Sequence, residues 1–181
     1  MLSRPSPQLA DDLIRLEPVD ARFVAGFEEL VADPDVIRNT RVPTDAAPGF
    51  GADWLDRYVE GWRDGSRAGF AVVSDADAFL GFVGIVDLDL DGRQGEIGYV
   101  VSRDARGRGV AGRALRLVTD WALGDLGLER VELHIEPSNE ASIRVAEKVG
   151  YVREGVLRSV HFKEGLRQDI AMYSLVRSDQ R

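Results

Sequence analysis

A glycine-rich segment at residues 106–112, RGRGVAG, places Gly107, Gly109 and Gly112 at the spacing G-x-G-x-x-G. Glycines at this spacing let the backbone approach a phosphate group closely. A helix that begins inside the segment would add unpaired N–H groups and the positive end of its dipole, and the two arginines of the segment would add charge. The segment therefore predicts a loop that holds a phosphate or pyrophosphate.

Other interpretations of this loop require a different order of elements. A dinucleotide-binding fold needs its first glycine directly at the end of a buried strand, whereas four residues separate Ser102 from Gly107 and too little chain follows for a second half-domain. Glu132 and Glu136 do lie where a ribose-binding acid would be expected. A P-loop would need Gly-Lys-Ser/Thr, which is absent. A strand-to-helix turn without any ligand stays open, and we favour a pyrophosphate at a helix N-terminus.

The elements that must position this loop predict one mixed sheet. Alternating apolar residues and turn signals indicate strands, and helical spacing indicates helices. Strands are expected at residues 12–19, 69–75, 79–92, 95–102, 130–136, 151–162 and 168–176. Helices are expected at residues 20–33, at residues 52–65, in the segment that directly follows the glycine loop, and at residues 139–150. A short helix and a long loop are expected between the helices at 20–33 and 52–65. The order predicts a single α/β or α+β domain over residues 1–181, with an ordered core at about 12–176.

Two stretches resemble a known family. Residues 96–123, EIGYVVSRDARGRGVAGRALRLVTDWAL, are similar to the cofactor motif of the GNAT acetyltransferases, Arg/Gln-x-x-Gly-x-Gly/Ala, here Arg106, Gly109 and Ala111. Residues 139–158, NEASIRVAEKVGYVREGVLR, resemble the RimJ/RimL-type branch, with Asn139, Ser142 and the EKVGY block. The resemblance covers about residues 13–176. It implies a mixed, mostly antiparallel seven-stranded twisted sheet flanked by helices, and acetyl transfer from acetyl-CoA to an amine.

The resemblance also implies a cofactor site. The pantetheine arm would lie in a splayed gap beside the fourth strand and pair with the backbone of Tyr99, Val100 and Val101. A backbone N–H near Val101 would polarise the acetyl carbonyl. Asn139 would contact the cofactor, cap its helix, or do both. The pyrophosphate would lie on Arg106, Gly107, Arg108, Gly109, Val110, Ala111 and Gly112.

Two residues are candidates for the chemistry of transfer. A lysine amine titrates near pH 10 and an α-amine near pH 8, so Glu96 is proposed as the general base that removes the proton. The tyrosine that many family members use as the acid is replaced by Ala146, and the resemblance suggests Ser142 in its place. A plain strand carboxylate and a locally bonded helix-start hydroxyl remain the alternatives.

Composition excludes several classes of function. The chain has no cysteine, which removes disulfides, thiolate metal sites and a cysteine nucleophile, and its net charge of −8 argues against nucleic acid or an anionic membrane as partner. The segment DLDLDG at residues 87–92 resembles the start of a calcium loop but has Gly98 at the twelfth position; no metal is expected. His134 is expected to pack or to hydrogen-bond in its strand, and His161 is a candidate for lining the acceptor site.

These observations predict a cytoplasmic N-acetyltransferase that passes acetyl from acetyl-CoA to a primary amine in a ternary complex. The acceptor is either a protein N-terminus or a small cationic amine, and the acyl chain length and a homodimer are left open. The alternative is a non-catalytic acyl-CoA-binding module that senses the cofactor or docks a partner. Such a module would keep the loop at 106–112 and could dispense with Glu96 and Ser142.

Overall fold

The computed structural model describes residues 2–179, and its elements follow the predicted order. The strands are β1 (Ile14–Pro18), β2 (Ala68–Ser74), β3 (Phe79–Asp89), β4 (Gln94–Val101), β5 (Arg130–Ile135), β6 (Val152–Lys163) and β7 (Leu166–Val176). The α-helices are α1 (Val24–Val31), α2 (Pro34–Asn39), α3 (Phe50–Asp64), α4 (Val110–Leu123) and α5 (Glu140–Val149). Across residues 2–179, no helix combines the length and the apolar character that crossing a membrane requires.

The strands form one seven-stranded sheet in the order β1-β2-β3-β4-β5-β7-β6. Neighbouring strands are antiparallel except β4 and β5, which are parallel, so the predicted mixed and mostly antiparallel sheet is confirmed. The β4–β5 pairing ends at the pair Glu96 and Glu132. Beyond it β4 continues to Val101 and β5 to Ile135 without pairing to each other, which opens a gap in the middle of the sheet.

Helices cover both faces of the sheet because its central strands are apolar on both sides. Phe70 and Val72 of β2 pack in the cluster that contains Leu115 and Trp121 of α4. The residues that alternate with Phe70 and Val72 along β2 point to the opposite face of the sheet, as the two-residue period of a strand requires. They pack against α1 and α3 in a second cluster. The helix α4 contacts both strands of the gap, β4 and β5, and α5 contacts β5.

Two boundaries differ from the sequence prediction, each for a local reason. The first helix is divided: Asp20 caps a short 3-10 turn by accepting from the N–H of Arg22, and α1 begins only at Val24. Strand β3 ends at Asp89, whose carboxylate accepts from the N–H of Gly92 and so forms the turn. The stretch that resembled a calcium loop is therefore a capped β-turn.

Candidate active site

The glycine loop presents unpaired backbone N–H groups at the start of α4. Gly107 and Gly109 have φ angles of +75° and +78°, a left-handed conformation that favours glycine, and Gly109 is the N-cap of the helix. Within residues 2–179, the N–H groups from 107 to 112 donate to no protein acceptor, and the first helical bond runs from Arg113 to Gly109. A Cβ placed on Gly107, Gly109 or Gly112 would meet open space. This geometry fits a pyrophosphate.

The guanidinium group of Arg106 does not point into the glycine loop. Its guanidinium donates to Asp33 and Asp35 at 2.8 Å each, and its Nε donates to the carbonyl oxygen of Val101 at 3.1 Å. Burial alone would raise the pKa of Asp33, but the N–H of Asp35 and the guanidinium groups of Arg103 and Arg106 outweigh it and lower the pKa. In the structure the side chain of Arg106 anchors the loop to the start of α2, and its backbone N–H donates to the carbonyl oxygen of Arg103, so the predicted contact of Arg106 with a pyrophosphate stays a prediction.

The open edge of β4 offers backbone groups to the gap. Ser102 donates its N–H to Leu80 on the β3 side, and bonds within an antiparallel pair recur at alternate residues. Tyr99 and Val101 therefore direct their N–H and C=O groups away from β3 and into the gap, while the backbone of Val100 bonds to β3. Of the three predicted pantetheine contacts, Tyr99 and Val101 have the required direction and Val100 does not.

A pair of hydroxyl groups lies at the α5 side of this gap. The phenol oxygen of Tyr99 lies 2.6 Å from Oγ of Ser142, and it also lies 3.2 Å from the carbonyl oxygen of Ser142. Burial raises the pKa of Tyr99 to about 12, against a smaller opposing effect of the Ser142 hydrogen bond, so the phenol stays protonated at neutral pH. Asn139 accepts from the N–H of Ser142 at 3.1 Å and caps α5.

The Tyr99 side chain is a site residue that the sequence analysis missed, since only its backbone was considered. The position of this side chain could have been inferred from the alternation of side chains along β4, which places Ile97, Tyr99 and Val101 on one face of the sheet and Glu96 on the other. The first three pack with the α4 and α5 cluster. A polar hydroxyl on an otherwise apolar face requires a partner, and that partner is Ser142.

Glu96 lies where the paired part of β4 and β5 ends and the gap begins. Its side chain is 15% exposed, and its Oε2 lies 3.3 Å from Nδ1 of His134 and 3.4 Å from a guanidinium nitrogen of Arg41. Among residues 2–179, Oε1 has no hydrogen-bond partner. Glu96 is thus a partly buried carboxylate with one oxygen held by two cationic or proton-donating groups and the other available.

His134 is a hydrogen-bonding residue of β5, as expected, and it contacts two carboxylates. Its Nε2 lies 3.0 Å from Oε1 of Glu132, so the imidazole bridges Glu96 and Glu132. Glu132 also accepts from Arg130 at 3.1 Å, and Arg130 forms a two-pronged ion pair with Glu154. That hydrogen bond lowers the pKa of Glu154 to about 2.

The β6–β7 hairpin closes the side of the site that faces Glu96. Lys163 at its tip donates to the carbonyl oxygens of Ile37 and Thr40, and Glu164 accepts from the N–H of Thr44 at 3.1 Å. The segment after α2, which carries Arg41, is thereby fixed against the hairpin. Burial, followed by the charges of Arg41 and Lys163, lowers the pKa of His161 on β6, so this imidazole is neutral at pH 7.

The gap in the sheet beside β4 and the unpaired N–H groups at the N-terminus of α4 are together typical of an acyl-CoA-dependent transferase. The family model described as the acetyltransferase (GNAT) domain matches residues 13–152. The chain belongs to the GNAT acetyltransferase family. It is an acetyl-CoA-dependent N-acetyltransferase that transfers acetyl to an amine.

Individual relatives agree with this assignment. The protein provisionally named ribosomal N-acetyltransferase YdaF of Bacillus subtilis (strain 168) is 29% identical over 84% of this chain and 76% of its own length. Spermidine N(1)-acetyltransferase of Escherichia coli (strain K12) is 30% identical over 63% of this chain and 59% of its own length. The structure of RimL, the ribosomal L7/L12 α-N-protein acetyltransferase, in complex with coenzyme A superposes with a TM-score of 0.84 at 15% identity, covering 92% of this chain and 95% of that one.

Proposed function

We propose that this enzyme acetylates the α-amine at the N-terminus of a peptide or protein, with Glu96 as the general base. The observation that carries the proposal is the position of Glu96, partly buried at the mouth of the gap with Oε1 free and Oε2 beside Arg41. A base at this position can take a proton from an amine that approaches the end of the pantetheine channel. The open β4 edge and the unpaired N–H groups at 107–112 support acetyl-CoA as the donor.

The residues of the chain supply each proton and each charge that the transfer needs. Acetyl-CoA provides an activated acetyl group as a thioester. The N–H of Val101, which faces the gap, donates to the carbonyl oxygen as negative charge develops there. Glu96 removes the ammonium proton through Oε1 and passes it to solvent. The neutral amine then forms the C–N bond as the C–S bond breaks, and Glu96 takes the second proton from the nitrogen. Ser142 donates its hydroxyl proton to the leaving sulfur, Tyr99, protonated at neutral pH, donates in turn to Oγ of Ser142, and solvent restores the proton of Tyr99.

Arg41 distinguishes between the two acceptor classes. Its guanidinium is adjacent to Glu96 and 68% exposed, so it meets any acceptor that reaches the base. A polyamine carries further ammonium groups near the reacting one, and two like charges about 4 Å apart repel by roughly 1 to 4 kcal/mol between water and a partly buried site. A peptide N-terminus instead offers carbonyl oxygens that accept from Arg41. The similarity to YdaF, which spans more of the chain than the similarity to the spermidine enzyme, agrees with this choice.

The test is release of coenzyme A from acetyl-CoA, measured with a thiol reagent against N-terminal peptides, amino acids, polyamines and aminoglycosides. The chain has no cysteine, so it contributes no background. We expect peptides to give the highest kcat/KM, and the substitution Arg41→Glu to raise kcat/KM for spermidine relative to peptide by about tenfold or more, equivalent to roughly 1.4 kcal/mol. Arg57→Glu, at an exposed position on α3, is the matched control.

Two outcomes contradict the proposal in different ways. If the polyamine is the best acceptor of the parent enzyme, the assignment of a peptide α-amine is wrong. If calorimetry shows acetyl-CoA binding but no acceptor releases coenzyme A, the proposed acceptors are wrong and the alternative of a binding module gains support.

We also propose that a second copy of the chain covers the outer edge of β6. This strand is the last of the sheet, and an exposed apolar edge strand tends to pair with another chain. The exposed apolar residues of the hairpin are Val152, Val156, Leu157, Val160, Phe162 and Leu166. Light scattering after size exclusion should give a dimer mass for the parent and a monomer for Val156→Lys. Leu90→Lys, at an exposed apolar position after β3, should stay dimeric; a monomeric parent would disprove the interface.

A further inference from the structure

Beyond the proposed base itself, we infer that His134 and Glu132 are positioning residues for Glu96. In this triad the imidazole lies 3.3 Å from Oε2 of Glu96, restricts the rotation of that carboxylate and leaves Oε1 for the acceptor, while a hydrogen bond to Glu132 fixes the imidazole. The inference rests on the proposed role of Glu96 as the base. It adds two residues on β5 to a site whose base lies on β4.

The register of the sheet makes such a bridge necessary. Glu96 and Glu132 are direct partners in the parallel β4–β5 pairing, so two carboxylates extend from adjacent backbone positions on the same face. Like charges placed opposite each other in this way destabilise a sheet. His134 lies two residues after Glu132 and therefore on the same face, and its ring is located between the two carboxylates, 3.3 Å from Glu96 and 3.0 Å from Glu132.

The far end of the triad is fixed as well. The second oxygen of Glu132 accepts from Nε of Arg130 at 3.1 Å, and both terminal nitrogens of Arg130 bond to Glu154 at 2.6 and 2.7 Å. Glu154 in turn accepts from the hydroxyl of Ser174 at 2.7 Å. The carboxylate of Glu132 cannot turn away from His134 without losing its bond to Arg130. Because Glu132 is held in this way, its bond to His134 also fixes the orientation of the imidazole.

The charges around the triad leave one oxygen for catalysis. Arg41 and His134 both contact Oε2 of Glu96, whereas Oε1 has no hydrogen-bond partner in the described chain, residues 2–179. The hydrogen bond of the imidazole to Glu132 restricts the rotation of the ring, so the ring stays beside Oε2 and leaves Oε1 open. The other titratable groups that face this side are Glu136 on the segment after β5, His161 on β6 and Lys163 at the hairpin tip.

The test compares pH profiles of kcat/KM for the best acceptor in the parent, His134→Phe, Glu132→Gln and Glu96→Gln. We expect both β5 variants to lower kcat at pH 7 by about 10- to 100-fold, the usual effect of removing a group that orients a site residue. We also expect the acid limb of their profiles to differ from that of the parent, because the groups around the base change. The KM for acetyl-CoA should stay within about twofold of the parent, and Glu140→Gln, an exposed carboxylate on α5, should match the parent throughout.

The outcomes separate the positioning role from the base. If Glu96→Gln keeps the parent rate, the base is wrong and the triad has no function to support. If Glu96→Gln is inactive while His134→Phe and Glu132→Gln keep the parent kcat and acid limb, the positioning role alone is wrong. A uniform loss with an unmoved acid limb indicates a structural effect and also overturns it. Should His134→Phe fail to fold, Glu132→Gln, which keeps the size and the acceptor oxygen of the side chain, decides the question.

Discussion

Replacing Glu96 with glutamine should lower kcat by about 10²- to 10⁴-fold at pH 7, the range that general-base catalysis contributes, and should leave acetyl-CoA affinity unchanged. Glutamine keeps the size of the side chain but cannot take a proton. The deficit should shrink above about pH 8, where an α-amine is already neutral. Stopped assays of coenzyme A release between pH 6 and pH 9, with calorimetric titration of acetyl-CoA, measure both quantities.

The control for this experiment is Glu60→Gln. Glu60 is an exposed carboxylate on α3, so its removal changes the net charge of the protein by the same amount without touching the site. A Glu96→Gln enzyme that turns over at the parent rate across the whole pH range would rule out Glu96 as the base. A variant that instead loses acetyl-CoA binding would mean that Glu96 supports the cofactor site.

The second large effect is expected from Gly109→Val, which should weaken acetyl-CoA binding by at least about tenfold, or roughly 1.4 kcal/mol. In the protein alone a Cβ at this position meets open space, so the added side chain would occupy space at the N-terminus of α4, where we propose that the pyrophosphate lies. Valine also has to adopt a φ of +78°, which destabilises the fold by about 1 to 2 kcal/mol. Calorimetric titration with acetyl-CoA and thermal unfolding measure the two effects separately.

Gly165→Val is the matched control because Gly165 also has a φ of +78° and open space around its Cβ, but lies in the β6–β7 turn. Both variants should lose similar stability, and only Gly109→Val should lose acetyl-CoA affinity. An acetyl-CoA affinity equal to that of the parent in both variants would show that the loop does not hold the pyrophosphate. Equal losses of affinity would show that the effect comes from strain rather than from the position of the side chain.

The triad and the loop act on different steps, so their variants should be separable by kinetics. Substitution at Gly109 changes binding of the donor, whereas substitution at Glu96 or His134 changes proton transfer after both substrates are bound. α2 connects the two regions: Asp33 and Asp35 at its start hold Arg106 of the loop, and Arg41 just beyond its end contacts Glu96. The helix α2 therefore connects the glycine loop to the carboxylate that we propose as the base.

The amino-acid sequence alone determined the elements and the class of chemistry. Alternation along the strands, helical spacing in α3 and α4, and glycines at 107, 109 and 112 are local signals, and the structure has these elements within a few residues of the predicted positions. Glu96 was proposed from its position at the start of a strand together with the GNAT resemblance, Asn139 from its position before a helix together with that resemblance, and Ser142 from the resemblance. The GNAT resemblance added the donor and the gap beside β4.

The tertiary structure decided which side chains meet, since these contacts join residues far apart in the chain. The bond between Tyr99 and Ser142, the ion pairs of Arg106 with Asp33 and Asp35, and the approach of Arg41 to Glu96 depend on how distant segments pack. Likewise, Glu132 gains its role only from the parallel register that sets it opposite Glu96. Sequence periodicity fixes the face on which a side chain lies, but strand register and helix docking fix its partner, and the chemistry of this site depends on the partners.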